Sequence, residues 1–255
     1  MSRVDYEEIA RVYDQRYASS DYAQAESVLL GLLELRPGAH VLEVGCGTGH
    51  WLALLARRGY QVSGLDASGG MLEHARRRLG DAELVLGDAG HLPWPATSFD
   101  RVFCVNAVHH FPDRRAFVHE ARRVLRPGGS LLVIGLDPHT GQDEWFIYQY
   151  FAGTLEADLR RYPSGEALQA ELREAGFERI ERSLALHLER RTPAGRAIDS
   201  LDRRMTSQLA LLSPEAFQAG LGAIGEALES AQDRGQSLEL VSDLRLWAIR
   251  GQAPA

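Results

Sequence analysis

No lysine occurs in the 255 residues; all 28 basic positions are arginine. That excludes a lysine Schiff base, a lysine-anchored pyridoxal phosphate and a P-loop lysine on a nucleotide phosphate. Genomic base composition accounts for the bias. Cysteine is nearly absent as well. Cys46 and Cys104 are too few for a disulfide framework or a zinc site, and both fall at predicted strand ends, where cysteine packs as a small apolar residue. Long apolar runs are missing: the stretch Ser130 to Leu136 falls far short of the ~20 residues a spanning helix needs. The opening MSRVDYEEIARVYD carries acids and no apolar core, so it does not read as a signal peptide. A reduced, cytoplasmic protein without a membrane partner is expected, as monomer or homodimer. Positive charge is in deficit, with a formal net charge of −7. This argues against nucleic acid as the main partner, because phosphate contacts need clustered cations. The arginine runs Arg76-Arg77-Arg78 and Arg190-Arg191 read as solvated faces.

What is present is ordinary soluble composition, 45% apolar and 25% charged. A chain of this length predicts one domain with an added subdomain. Residues 1–37 read as helical, with Val28, Leu29, Leu32 and Leu33 at helical spacing and Pro37-Gly38 as the stop. From there strand and helix alternate. His40 to Gly45, Gln61 to Asp66, Ala82 to Asp88, Arg101 to Asn106 and Ser130 to Leu136 read as strands. Trp51 to Arg58, Met71 to Leu79 and Arg114 to Leu125 read as helices, the last broken by Pro127-Gly128-Gly129. Such alternation implies parallel strands joined by crossovers in a doubly wound sheet, with ligands bound outside the carboxyl ends of the strands. Further on, Ser164 to Ala175 predicts a helix stopped by Gly176. Phe177 to Leu188 and Leu238 to Ile249 predict two more strands, for seven in all. Ser213-Pro214-Glu215 marks a helix start, with Phe217, Leu221, Ile224 and Leu228 on one face.

The chemistry concentrates in VLEVGCGTGHW, Val41 to Trp51. A strand runs into Gly45, Gly47 and Gly49 and then a helix, so that a ligand can approach bare backbone and unsatisfied N–H groups. His50 stands where a dinucleotide fingerprint wants its next glycine, which argues against a nicotinamide-dependent oxidoreductase. Glu43 inside the strand sharpens the motif. Asp66 ends the second strand roughly 20 residues on, where a ribose-binding acid is expected. Asp88, after the third strand, is placed to accept from an adenine amino group.

With these residues in view the chain resembles the class I methyltransferases, and within them the broad group that includes the ubiquinone and menaquinone biosynthesis methyltransferases. The matching pieces are VLEVGCGTGHW, GLDASGGML, GDAGHLPWPATSFDRVFCVNAVHHF and RVLRPGGSLLVIG, in the family's order across residues 40–136. Tyr13-Asp14 with Tyr17 extends the match toward the start. The resemblance implies a Rossmann-like methyltransferase fold and S-adenosylmethionine as cofactor, leaving S-adenosylhomocysteine as product. It implies that Gly45, Cys46 and Gly47 hold the methionine part and that Glu43 acts on the amino end. Asp66 would bind the ribose hydroxyls, with Ala67 and Met71 beside the adenine. Asp88 and Ala89 would read the adenine, and Asn106 would stand near the methionine backbone. Tyr17 becomes a contact from an N-terminal helical cap, residues 1–37, over a cofactor-binding core at 38–140.

The acceptor is less legible, and a small molecule is expected. His109 and His110 follow the fourth strand at the mouth of the expected site. One of them, His110 before His109, is placed to deprotonate a hydroxyl or an amine; the plainer alternative is that the pair supports the loop. No metal site is expected, since neither a second histidine for His119-Glu120 nor a cysteine cluster exists. The aromatic stretch Trp145 to Phe151, with Tyr162, reads as a lid and pocket wall within 141–176, or as a helix packing its rings inward. Residues 177–255 would complete the sheet around a helical insertion at 190–236. A macromolecule methyltransferase is the alternative, although the turn Asn106-Ala107-Val108-His109 lacks the proline pair of amino-methylating DNA enzymes. A non-catalytic binder of the cofactor is another.

Overall fold

The computed structural model describes residues 21–202 and 206–255. Tyr17, with the rest of the expected cap before residue 21, lies outside the described residues. The first half contains α1 (Asp21–Leu33), β1 (His40–Val44), α2 (His50–Ala56), β2 (Gln61–Asp66), α3 (Gly69–Leu79), β3 (Glu83–Leu86), β4 (Phe99–Val105), α4 (Arg114–Val124) and β5 (Leu125–Leu136). The second half contains β6 (Glu144–Trp145), α5 (Phe146–Tyr150), α6 (Thr154–Arg161), α7 (Gly165–Glu174), β7 (Glu178–Pro193), α8 (Ala194–Ser200), α9 (Ser207–Ala210), α10 (Pro214–Asp233) and β8 (Glu239–Gln252). No described helix is long and apolar enough to cross a membrane.

Strand order is β3-β2-β1-β4-β5-β8-β6, with β7 along β8. The run from β3 to β5 is parallel, and β8 is antiparallel to β5, β6 and β7. The order reverses between β1 and β4, which places a ligand crevice at their carboxyl ends. Parallel strands covered on both faces read as continuous apolar runs, and in β1 Val41, Leu42, Glu43 and Val44 are all buried. Alternate residues serve opposite layers. Leu42 and Val44 pack with Phe117, Val118 and Ala121 of α4, while Val41 packs with Leu29 and Leu33 of α1 and Leu52 and Leu55 of α2. A third cluster gathers Trp145, Ile147, Phe151, Phe217 and Ile224 in the helices of the second half.

Local signals set the helix starts. Ser68, Asp113, Ser164 and Ser213 each accept a bond from the amide three residues on, at 3.2, 2.9, 3.2 and 3.1 Å. Caps of this kind contribute about 1 kcal/mol each. Pro214 occupies the first turn of α10, as its sequence predicts.

Four expectations need correction. The sheet has eight strands, not seven, because two residues after β5, Glu144 and Trp145, pair with Asp243 and Ser242 at the far end of β8. β5 begins at Leu125, not Ser130. α4 has already ended at Val124, and the Pro127-Gly128-Gly129 turn is an irregularity within the strand's pairing to β4. A Cβ on Gly129 would come within 2.9 Å of the Asp100 carbonyl, so only glycine fits that approach. β3 ends at Leu86, two residues before Asp88. Finally, β7 continues to Pro193 because β8 pairs with Arg190, Arg191 and Thr192, so the helical segment starts at Ala194 rather than at residue 190.

Candidate cofactor and acceptor site

The glycine loop is built by backbone conformation. Gly45, Gly47 and Gly49 have φ of 76°, 52° and 73°, a region that residues with a Cβ rarely adopt. The loop is also closely packed. A Cβ on Gly45 would lie 2.5 Å from Cβ of Ala107, and one on Gly49 would lie 2.7 Å from the Leu79 side chain. The amides of Gly45 and Cys46 both donate to the Leu65 carbonyl, at 2.7 and 3.1 Å.

Asp66 ends β2 directly beside this loop. Its Oδ2 accepts from the Gly47 amide at 2.7 Å and its Oδ1 from the Ser68 amide at 2.9 Å. The acid expected to receive a ribose thus also clasps the loop. Ala67, next in sequence, is exposed, whereas Met71 in the first turn of α3 is 1% exposed. Asp88 is exposed and its Oδ1 accepts from the Gly90 amide at 2.7 Å; Ala89 beside it is buried.

Glu43 is 1% exposed and its Oε2 has no hydrogen-bond partner. Burial, reinforced by the charge of Asp66, pushes its carboxyl well above the usual carboxylate range, against a bond from the Leu52 amide. A carboxyl so placed ionises readily only beside a cation. Burial likewise pushes the Cys46 thiol up, with Glu43 and Asp66 adding to it, so this cysteine is a packing residue and not a nucleophile.

Beyond β4, Asn106 is exposed in the left-handed region with φ of 50°, and its amide donates to the Ile134 carbonyl at 2.8 Å. The turn Val108–His110 follows. His109 lies face to face with Tyr162, ring centroids 3.8 Å apart and planes 16° from parallel, and 3.9 Å from the ring of His110. Its Nδ1 is buried without a partner. Burial holds its pKa well below the ordinary histidine value, with His110 and Arg161 adding to the shift, so the ring is neutral at pH 7. Being stacked and half-buried, His109 meets the support role; being neutral, it also meets the protonation state a base needs.

The fold thus brings Glu43, Gly45, Cys46, Gly47 and Asp66 into one group at the ends of β1 and β2. Ala67, Met71, Asp88 and Ala89 flank it, and Asn106, His109 and His110 face it from β4. Two features escape sequence reasoning. Leu86, register partner of Asp66, keeps 58% exposure and offers an apolar wall at the ligand edge of the sheet. Asp158, fully buried in α6, accepts from Tyr148 Oη and Gln208 Nε2, both at 2.7 Å, and pairs with Arg161. Gln208 also donates to Tyr162 Oη at 3.3 Å, so this network lies one ring behind His109. The segment LPWPATSFD proves architectural. Arg123 donates to the carbonyls of Leu92 and Trp94, and Glu120 accepts from the Leu92 amide. Among the described residues no three His, Cys, Asp or Glu side chains are grouped as metal ligands would be.

A doubly wound sheet with a glycine loop after β1 and acids after β2 and β3 defines a nucleoside-binding Rossmann-like protein. Comparison with known proteins narrows the class. A family described as a methyltransferase domain matches residues 42–133. Nocamycin O-methyltransferase of Saccharothrix syringae is 30% identical over 253 residues, covering 89% of this chain and 85% of that protein. Demethylmenaquinone methyltransferase of Thermotoga maritima is 38% identical over 126 residues, covering 48% of this chain and 55% of that protein. Several of the curated relatives are likewise spanned over little more than half their length. The Haemonchus contortus phosphoethanolamine N-methyltransferase 2 structure with S-adenosyl-L-methionine shares the fold, with a TM-score of 0.63 at 18% identity over 98% of this chain and 57% of that one. The chain belongs to the class I S-adenosylmethionine-dependent methyltransferases.

Proposed function

We propose that the chain transfers a methyl group from S-adenosylmethionine to an O, N, C or S atom of a small-molecule acceptor. The observation that carries this reading is the joined arrangement at the ends of β1 and β2. A buried carboxyl with an unpartnered oxygen, Glu43, stands below a positive-φ glycine loop clasped by Asp66. The donor set suits an amino acid joined to a nucleoside. Glu43 acts on the amino end, while Gly45, Cys46 and Gly47 offer backbone to the methionine part. Asp66 takes the ribose hydroxyls. Asp88 and Ala89 serve the adenine between Ala67, Met71 and the exposed Leu86, and Asn106 stands near the methionine backbone. Bound there, the cofactor supplies an electrophilic methyl on a sulfonium. What remains for the protein is to hold the nucleophile in line and exclude water, which contributes up to about 7–11 kcal/mol. His109, neutral, or His110 removes a proton where the acceptor arrives protonated. Residues 38–140 form the cofactor-binding part. The reducing cytoplasm fits the two free, buried thiols.

Methyl-labelled S-adenosylmethionine incubated with the protein and host-cell extract tests the reading. Label is expected among small metabolites and not in an Asp66→Ala control. Label in macromolecules would overturn the substrate class. In calorimetry, Asp66→Ala should weaken S-adenosylhomocysteine by at least about a hundredfold, the lower end for losing two charge-assisted bonds of about 1.5–3 kcal/mol each.

A further inference from the structure

A small cleft, partly open to solvent, lies between α1 and one face of the sheet. Val105 pairs with Ile134, and Leu186 with Leu246, so these side chains stand on the same face and form its floor near the carboxyl ends of β4 and β5. Leu29 of α1 roofs it. Trp51, in the first turn of α2, borders it where the chain leaves the glycine loop. Among the described residues that line it, Asn106 is the one with a polar amide side chain and none is charged.

We propose that this cleft holds the methyl acceptor, and that the part of the acceptor buried there is uncharged and largely apolar, with its nucleophilic atom at the Asn106 end. The assignment rests on the methyltransferase reading, because that reading places the cofactor at the loop bordering Trp51 and Asn106. Three observations carry it. The cleft adjoins that loop, and Ala107, next to Asn106, is in contact range of Gly45. Every described residue lining it other than Asn106 is aliphatic or aromatic. Among the described residues its wall carries one side-chain amide, Asn106, one indole, Trp51, and no charge, so a phosphate, carboxylate or ammonium held there would lose hydration with little compensation. Trp145, Ile147 and Phe151, from the aromatic stretch, belong to a different cluster and are not among the residues that line it. Selectivity among acceptors therefore resides in α1 and in the β7–β8 pair.

The test uses the neutral fluorophore N-phenyl-1-naphthylamine, titrated into the full chain with and without S-adenosylhomocysteine. S-Adenosylhomocysteine affinity is measured by calorimetry on the same samples. Saturable binding of one probe per chain is expected. Leu186→Gln and Val28→Trp should each weaken it at least tenfold; Val28 is a partly buried wall residue on α1, so its variant spares the core. S-Adenosylhomocysteine affinity should stay within twofold, neutral phenols should displace the probe, and phosphocholine and glutamate should not. Absence of saturable binding, indifference to both substitutions, or equal displacement by the charged competitors would overturn the assignment while S-adenosylhomocysteine still binds. A wild-type chain that fails to bind S-adenosylhomocysteine brings down the methyltransferase reading and this assignment with it.

Discussion

The parallel half of the sheet and the helical block that follows it bury polar groups in opposite ways. Around β1 and β2, Glu43 is left with an open oxygen and Asp66 is bonded by loop amides at the edge of a crevice. In α5, α6 and α9, Asp158 is enclosed and supplied by tyrosine, glutamine and arginine at once. The first arrangement leaves a carboxyl oxygen open beside a crevice; in the second both oxygens of Asp158 are taken, and only Arg161 Nε is left over. A buried acid whose oxygens are all engaged serves to fix one packing.

Substitutions can break this contrast. The largest expected effect is at Asp158→Ala, which strands Arg161, Gln208 and the Tyr148 hydroxyl. Losing one member of a buried charge pair costs about 3–5 kcal/mol, a fall in Tm on the order of 10 °C. Affinity for S-adenosylhomocysteine should change less than twofold; a large loss of affinity with an unchanged Tm would reverse the roles assigned to the two regions. Next comes Glu43→Gln. Because the folded state holds the Glu43 proton more tightly than the unfolded chain, stability is present below pH 4.5, the ordinary value, and is lost as pH rises toward the raised folded value. The slope for one proton is at most about 1.4 kcal/mol per pH unit. Melting curves between pH 5 and 8 should be flatter for the glutamine variant, and parallel curves would show that Glu43 is already matched. The smallest effect is at Ser213→Ala, which removes the cap of α10 in the self-contained block. It should cost about 1 kcal/mol, a fall of roughly 2–4 °C, with cofactor affinity untouched.

The sequence discloses the two regions unequally. In the parallel half, strand and helix periods alternate cleanly, so position along the chain translates into position at the strand ends. The placement of Gly45, Asp66 and Asn106 at those ends is legible for that reason. The failures arise where partners are remote. Arg190 and Arg191 look like a solvated run, yet β8 supplies their backbone partners some fifty residues on, at Ser242 and Val241. Trp145 gives no strand signal because it is one of two residues paired to the end of β8. Asp158 sits among charges in an amphipathic helix and reads as solvated; what encloses it includes Gln208, 50 residues away. The aromatic stretch was legible as aromatic, but whether rings face a core or a ligand depends on helices that no local pattern specifies.

The approach of Gly45 to Ala107 limits how this end of the sheet can be redesigned. With 2.5 Å left for any added carbon, the glycine loop and the turn bearing Asn106, His109 and His110 are locked to one another. Remodelling that turn would disturb the loop with it, whereas substitutions on α1 and β7 leave that contact alone.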